Sequence, residues 1–315
     1  MTKTQFLRRH HIGDIMIIWK GSLKITLSVM VLILAFTLPL QAEGKDYKLG
    51  VLAKRGKPKV TEQWSQLSKY LSKETGLTFQ LVPLTFDEIE PNIKTKEIDY
   101  ILTNPAMYVD LEQKYGIKAL ASMLNLRLNN ALNQFSGVIF TRADSSIKKM
   151  SDIKGKPFMC VKKMSFGGGQ MAFRHLLESG INPFKDTILM EGRTHDNVVL
   201  AVQAGMVDAG TVRSDTLERM QEEGKIKISN FRVLDQVKDN FPFVHTTILY
   251  PEWPLAGLSH VSNHVNLKVK KALLALQKDS KAAQNAHIAG WTEPLSYGPV
   301  AKCLIICILN GLQDQ

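Results

Sequence analysis

From Tyr47 onward the chain alternates short apolar runs with segments whose apolar residues recur at helical spacing, and a glycine or a capping residue punctuates most of the junctions. A chain patterned this way must cover a sheet with helices on both faces, which places it in the α/β class. Lys48–Ala53 reads as a first strand buried on both faces. Thr61 is the expected cap of a helix carrying Trp64, Leu67, Tyr70 and Leu71 on one side, and Gly76 ends that helix. Strands are expected over 77–84 and 99–103, with a short helix near 87–97 that Pro91 must start or bend. Runs at 117–126 and 134–142 read as two more strands around a polar hairpin at Asn129 and Asn130.

Residues 143–146 read as a crossing into a second strand–helix series, with strands expected at 157–161, 187–191, 207–213 and 231–237. His245–Tyr250 reads as a strand and a return crossing, and 251–255 as a turn. Helices near 262–277 and 280–289 close the fold.

Several helix starts in this pattern follow directly on strands, where α/β proteins gather ligands. In Ser165-Phe166-Gly167-Gly168-Gly169 the coming helix presents free backbone N–H groups, and the glycines let an anion approach closely; Ser165 either caps the helix or gives its hydroxyl to a ligand. An oxyanion pocket and an ordinary capped turn both fit this stretch. Asn104-Pro105 is a strong helix start with Tyr108 one turn in, facing a crevice or simply packing. His195 sits in the first turn of a helix capped by Thr194, where a protonated imidazole is disfavoured; it is a neutral donor facing a cleft or a lone surface histidine. The small residues Ala209, Gly210 and Thr211 permit close approach of a ligand or of a crossing chain.

The formal charge of +11 raises the question of nucleic acid, yet Lys3, Arg8, Arg9, Lys20 and Lys24 against Asp14 place +4 of it in residues 1–42. The remaining +7 is scattered, with no nucleic-acid motif, so no nucleic-acid partner is expected. Residues 25–42 are uncharged, follow a basic segment and end in Pro39 and Ala42, the layout of a secretory signal peptide; an uncleaved N-terminal membrane anchor is the alternative. Either way the body of the protein is expected to be exported, and under the anchor reading residues 25–42 tether it to the inner membrane. Cys160 reads as a small buried hydrophobe, and Cys303 and Cys307 have no further ligands nearby, so no metal and no cofactor are expected. Gly-x-Ser-x-Gly, phosphate-loop and His-Glu-x-x-His motifs are absent, and no enzyme is expected.

Asp99–Tyr108, Ser165–Gly168, Gly192–Thr211 and Phe241–Thr247 together resemble the phosphonate-binding periplasmic protein family, and within it the branch that serves as input domain of tetrathionate-sensor type histidine kinases. The resemblance covers about residues 46–300. It implies a type II periplasmic binding fold: two α/β lobes with a ligand cleft between them, lobe 1 from 43–143 plus 245–300, lobe 2 from 144–244, and a tail over 301–315. It implies that Asn104 and Tyr108 contribute from lobe 1, that Ser165, Phe166 and Gly167 supply a helix N-terminus, that His195 donates to the anion, and that Asp208 and Thr211 line lobe 2. Gly169 departs from the aromatic expected there, and the apolar tail from Ala301 departs from a more polar ending. The implied ligand is a small oxyanion, phosphonate-like, phosphate-like or a sulfur oxyanion. The implied partner is an ABC permease or, alternatively, a membrane sensor kinase for which the chain senses.

Overall fold

The computed structural model describes residues 46–53 and 56–312; the leader or anchor read over 1–42 lies outside the described residues. β1 (Tyr47–Leu52) is the doubly buried run, and Gly50 leaves room in it for the tip of Ile98, whose Cδ1 would lie 2.8 Å from an added Cβ. α1 (Lys57–Thr75) starts earlier than the Thr61 cap predicted, since Pro58 occupies its first turn with φ already helical; Thr61 Oγ1 instead donates to Lys57 O inside the helix. Gly76 closes it in the left-handed region at φ 70°. β2 (Phe79–Leu84), α2 (Phe86–Lys94), β3 (Tyr100–Leu102) and α3 (Pro105–Tyr115) follow. β4 (Lys118–Arg127) turns into β5 (Asn130–Leu132) through Leu128 and Asn129, both at positive φ, the conformation of a two-residue hairpin turn.

The predicted strand over 134–142 divides at Ser136. β6 (Gln134–Phe135) stays apart, while β7 (Gly137–Arg142) enters a second sheet. That sheet adds β8 (Pro157–Cys160), α4 (Met171–Glu178), β9 (Ile188–Glu191), α5 (His195–Gln203), β10 (Ala209–Arg213), α6 (Thr216–Glu222) and β11 (Phe231–Val233). The strand expected over 245–250 does not form. Thr246 N and Thr247 N both donate to Gly137 O, and the Thr246 and Thr247 hydroxyls accept from Ile139 N and Gly137 N, so side chains compete with the ladder for β7. The chain returns at β12 (Tyr250–Pro251), which pairs antiparallel with β6. Residues 137–142 therefore belong with the second sheet rather than with lobe 1, and 245–247 lie against β7.

After the return come β13 (Pro254–Gly257), α7 (Asn263–Ala275), α8 (Lys281–Ala286), β14 (Ile288–Thr292) and α9 (Gly298–Leu309). The first sheet runs β14-β4-β13-β3-β1-β2 with β5 on β4, and the second runs β11-β7-β10-β8-β9. β13, read from the sequence as part of a turn, is a fully buried antiparallel strand between β3 and β4. One core packs the first sheet against α1, α7 and α8, and another packs the second sheet against α5 and α6. A third runs without interruption from α2 and α3 through Phe135, Phe166 and Tyr250 to α4 and α9.

Candidate functional site

β8 ends in a turn that enters a π-helical stretch, Phe166–Gln170, continuous with α4 and closed by Gln170 N donating to Ser165 O at 3.0 Å. Three consecutive glycines are required here by contact. A Cβ on Gly167 would lie 2.8 Å from the Phe135 ring, one on Gly168 2.5 Å from Val161 Cγ2, and one on Gly169 2.6 Å from Lys162 O. The aromatic expected at 169 has no room because the Lys162 carbonyl and the Phe173 ring fill that space. Ser165 is half-buried and its side chain makes no capping bond, so the helix does not consume the hydroxyl. Phe166 is buried edge-on against Phe135 and Tyr250, so its ring is taken up in packing.

α5 begins at His195, with Thr194 Oγ1 accepting from Asn197 N at 3.2 Å. The imidazole lies against the glycines: His195 Cε1 is 3.0 Å from a Cβ placed on Gly168. Arg213 N–H donates to His195 Nδ1 at 3.3 Å, which ties the imidazole to the end of β10. Next to His195, Asp196 is paired with Arg219 and Lys225; burial opposes its ionisation, but those two cations hold its carboxyl below the usual range. Thr211, on β10, is fully buried and its Oγ1 has no hydrogen-bond partner. Strand alternation sets it on the same face as Arg213, whose Cβ is 3.4 Å from a Cβ placed on Gly167. Gly167, Gly168, His195 and Arg213 are thus brought together where β10 ends.

Asn104 caps α3, its Oδ1 accepting from Met107 N at 3.0 Å, which leaves the side-chain NH2 as donor at the carboxyl end of β3. Tyr108 does not join the others. It is buried, its hydroxyl donates to Glu112 at 2.5 Å and accepts from Ala119 N, and its ring packs 4.7 Å from Tyr297. Burial and the Glu112 carboxylate push its pKa up. The surface cavity it lines, of about 440 Å³, includes none of the other predicted residues. One helical turn carries Tyr108 away from the strand ends and into the packing of α3. Asp208 is also separate. It is exposed, precedes β10, and its carbonyl accepts from Thr141 Oγ1. Five residues of strand place it about 16 Å from Arg213, at the amino end of β10.

The sequence reading missed an ionic cluster beside these groups. Arg213 Nε donates to Asp215 Oδ1 at 2.9 Å, Arg213 Nη2 to Glu252 Oε1 at 2.5 Å, and Arg127 Nε lies 3.3 Å from Asp215 Oδ2. Asn125 Nδ2 donates to Glu252 Oε1 at 2.9 Å, and the Arg213 guanidinium stacks 4.2 Å from the Phe135 ring centroid. Glu252 is wholly buried, which alone would raise its pKa, but Arg213 outweighs this and holds it below the usual range. The cluster borders a cavity of about 210 Å³ lined by Leu52, Trp64, Asn125, Arg127, Arg213 and Trp253, so both sheets contribute walls. The one available signal was Asp215 in a capping position: it begins α6 without capping it, because its carboxylate is held by arginines.

A family model described as ABC transporter, phosphonate, periplasmic substrate-binding protein matches residues 49–296. The chain belongs to that family. It is 31% identical over 261 residues to the tetrathionate sensor histidine kinase TtrS of Salmonella typhimurium, covering 82% of this chain and 43% of the relative, so it spans less than half the length of that protein. PhnD1 from Prochlorococcus marinus, solved with methylphosphonate, superposes with a TM-score of 0.62 at 15% identity over 82% of this chain and 97% of that one. A binding-protein component of an ABC phosphonate transporter from Pseudomonas aeruginosa gives 0.62 at 13% identity over 86% and 89%. The fold is accordingly the type II periplasmic binding fold, two α/β lobes with a cleft between them. The family is periplasmic, and among the described residues no helix is long and apolar enough to cross a membrane.

Proposed function

We propose that the protein binds a small oxyanion in the cleft and does no chemistry on it. What supports this reading is the glycine turn with the His195 ring set against Gly168, and the buried Thr211 hydroxyl without a hydrogen-bond partner on the neighbouring strand. Uncharged, fixed donors suit an anion because they need little reorganisation when it arrives. Ser165 adds a hydroxyl that the helix leaves unused, and Asn104 adds an amide from the other lobe. Phosphonates, phosphate and sulfur oxyanions all present the acceptor oxygens such a site requires. Delivery of the anion to an ABC permease is the partner reading that family membership favours.

A second reading has its own support. Because the chain is 31% identical to a sensor kinase across 82% of its length, it can serve as a sensing module that reports occupancy to a membrane kinase. The residues that hold the anion are the same in both readings.

The test is a thermal-shift screen of the exported chain with methylphosphonate, phosphate, phosphite, thiosulfate and tetrathionate, followed by calorimetry on any anion that raises the midpoint. A ligand at a hundredfold excess over its Kd adds about 2.7 kcal/mol to stability. Ser165→Ala and His195→Ala are each expected to abolish the shift. Full affinity in both variants would place the site elsewhere.

A further inference from the structure

Asp215 is in an unusual position for a residue at a helix start. It lies at φ 74°, the left-handed region that non-glycine residues rarely enter, and its carboxylate does not cap α6 although the position favours capping. Instead, Oδ1 accepts from Arg213 of the second sheet and Oδ2 pairs with Arg127 of the first. The side chain is only 9% exposed and sits beside the cavity that both sheets line. Each carboxylate oxygen thus meets one guanidinium through its Nε, Arg213 at 2.9 Å and Arg127 at 3.3 Å, and guanidiniums are also the side chains that pair with phosphonate and other tetrahedral oxyanions. Glu252 neutralises Arg213 from the opposite side and is wholly buried, so it is a fixed part of the wall, whereas Asp215 lies in a short connection between β10 and α6.

We propose that Asp215 is a built-in stand-in for the ligand. It occupies the Arg127–Arg213 seat when no ligand is bound, and an entering oxyanion displaces it, so that the two arginines, one from each lobe, grip the anion. Arg127 and Arg213 are then ligand-binding residues in addition to the amide and imidazole donors, and Asp215 is their internal competitor. Because the entering group must displace a carboxylate, the seat selects dianions over monoanions. This rests on the oxyanion-binding reading above.

The test uses Asp215→Asn, Arg127→Gln and the double variant in the full exported chain, with calorimetry against methylphosphonate, phosphate and tetrathionate and small-angle scattering of the unliganded proteins. Asparagine tolerates the left-handed backbone, and Asp215→Gly serves as a second variant that favours it. Asp215→Asn is expected to bind the preferred anion about tenfold more tightly and Arg127→Gln about tenfold more weakly, the double variant resembling Arg127→Gln. Unliganded Asp215→Asn and Asp215→Gly are expected to show a larger radius of gyration than wild type. Unchanged or weaker affinity in both Asp215 variants overturns the proposal. If wild type binds none of the three anions, the oxyanion reading itself fails; a radius of gyration unchanged in both Asp215 variants would then overturn the Arg127–Asp215–Arg213 bridge between the two sheets as well, and an increased one would support it.

Discussion

Two seams join the lobes, and they are built from opposite chemistry. At the pivot, β6 pairs with β12 and the contact is apolar: Phe166 stands edge-on to Phe135 at 6.1 Å and to Tyr250 at 5.0 Å, and α9 covers them with Cys303 and Cys307, both fully buried. Toward the cleft the contact is ionic: Arg127 with Asp215, and Arg213 with Asp215 and Glu252. Apolar packing is close to all-or-none, because a gap of even one methyl group forfeits contacts that nothing replaces. An ion pair can be exchanged for another of the same sign pattern. The apolar seam is thus built to stay whole, whereas the ionic one has the exchangeable contacts that the Asp215 proposal requires.

That contrast is open to attack from either side. The largest effect is expected at the pivot: Phe166→Ala removes a ring 3% exposed and should cost about 3–5 kcal/mol in urea denaturation. An effect near zero would mean that the apolar seam is not what holds the lobes. On the charged side, Glu252→Gln leaves Arg213 with one carboxylate in a buried setting and should cost about 2–4 kcal/mol at neutral pH. Its acid behaviour sharpens the point. A carboxyl whose folded pKa is depressed contributes stability above its unfolded value and loses it as pH falls through the folded one, so wild type should weaken on acidification below the ordinary glutamate value of 4.5, and Glu252→Gln should show a flatter acid limb. Equal slopes would show that Arg213 does not hold Glu252 ionised. The smallest effect is expected far from both seams: Asp208→Ala should change stability by no more than about 0.5 kcal/mol and leave anion affinity as it was.

Much of this fold was legible because local signals agreed with the final packing. Asn104-Pro105, the glycine run after β8 and the Thr194 cap each specify a helix start whatever surrounds it, and the structure has all three helices. β13 was not legible: four residues beginning in proline and ending in glycine look like a turn, and only pairing on both sides with β3 and β4 makes them a strand. The break at Ser136 was hidden for a related reason, since its cause lies in Thr246 and Thr247, more than a hundred residues away. Among the candidate site residues, the glycine turn and the Asn104 and Thr194 helix starts were legible as local structure. Asp208 and Thr211 looked alike in sequence, three residues apart on one run, yet Asp208 stands exposed just before the strand while Thr211 is buried in the middle of it. The Arg127–Asp215–Arg213–Glu252 cluster draws on both lobes and has no spacing to reveal it.

The glycine turn carries an implication for how preference for one guest over another can change in this scaffold. At Gly167, Gly168 and Gly169 any added carbon collides with a neighbour at 2.8, 2.5 or 2.6 Å. Substitution there disturbs the frame of the turn itself, so under the oxyanion proposal a change of preferred guest is expected to arise from residues outside these three glycines.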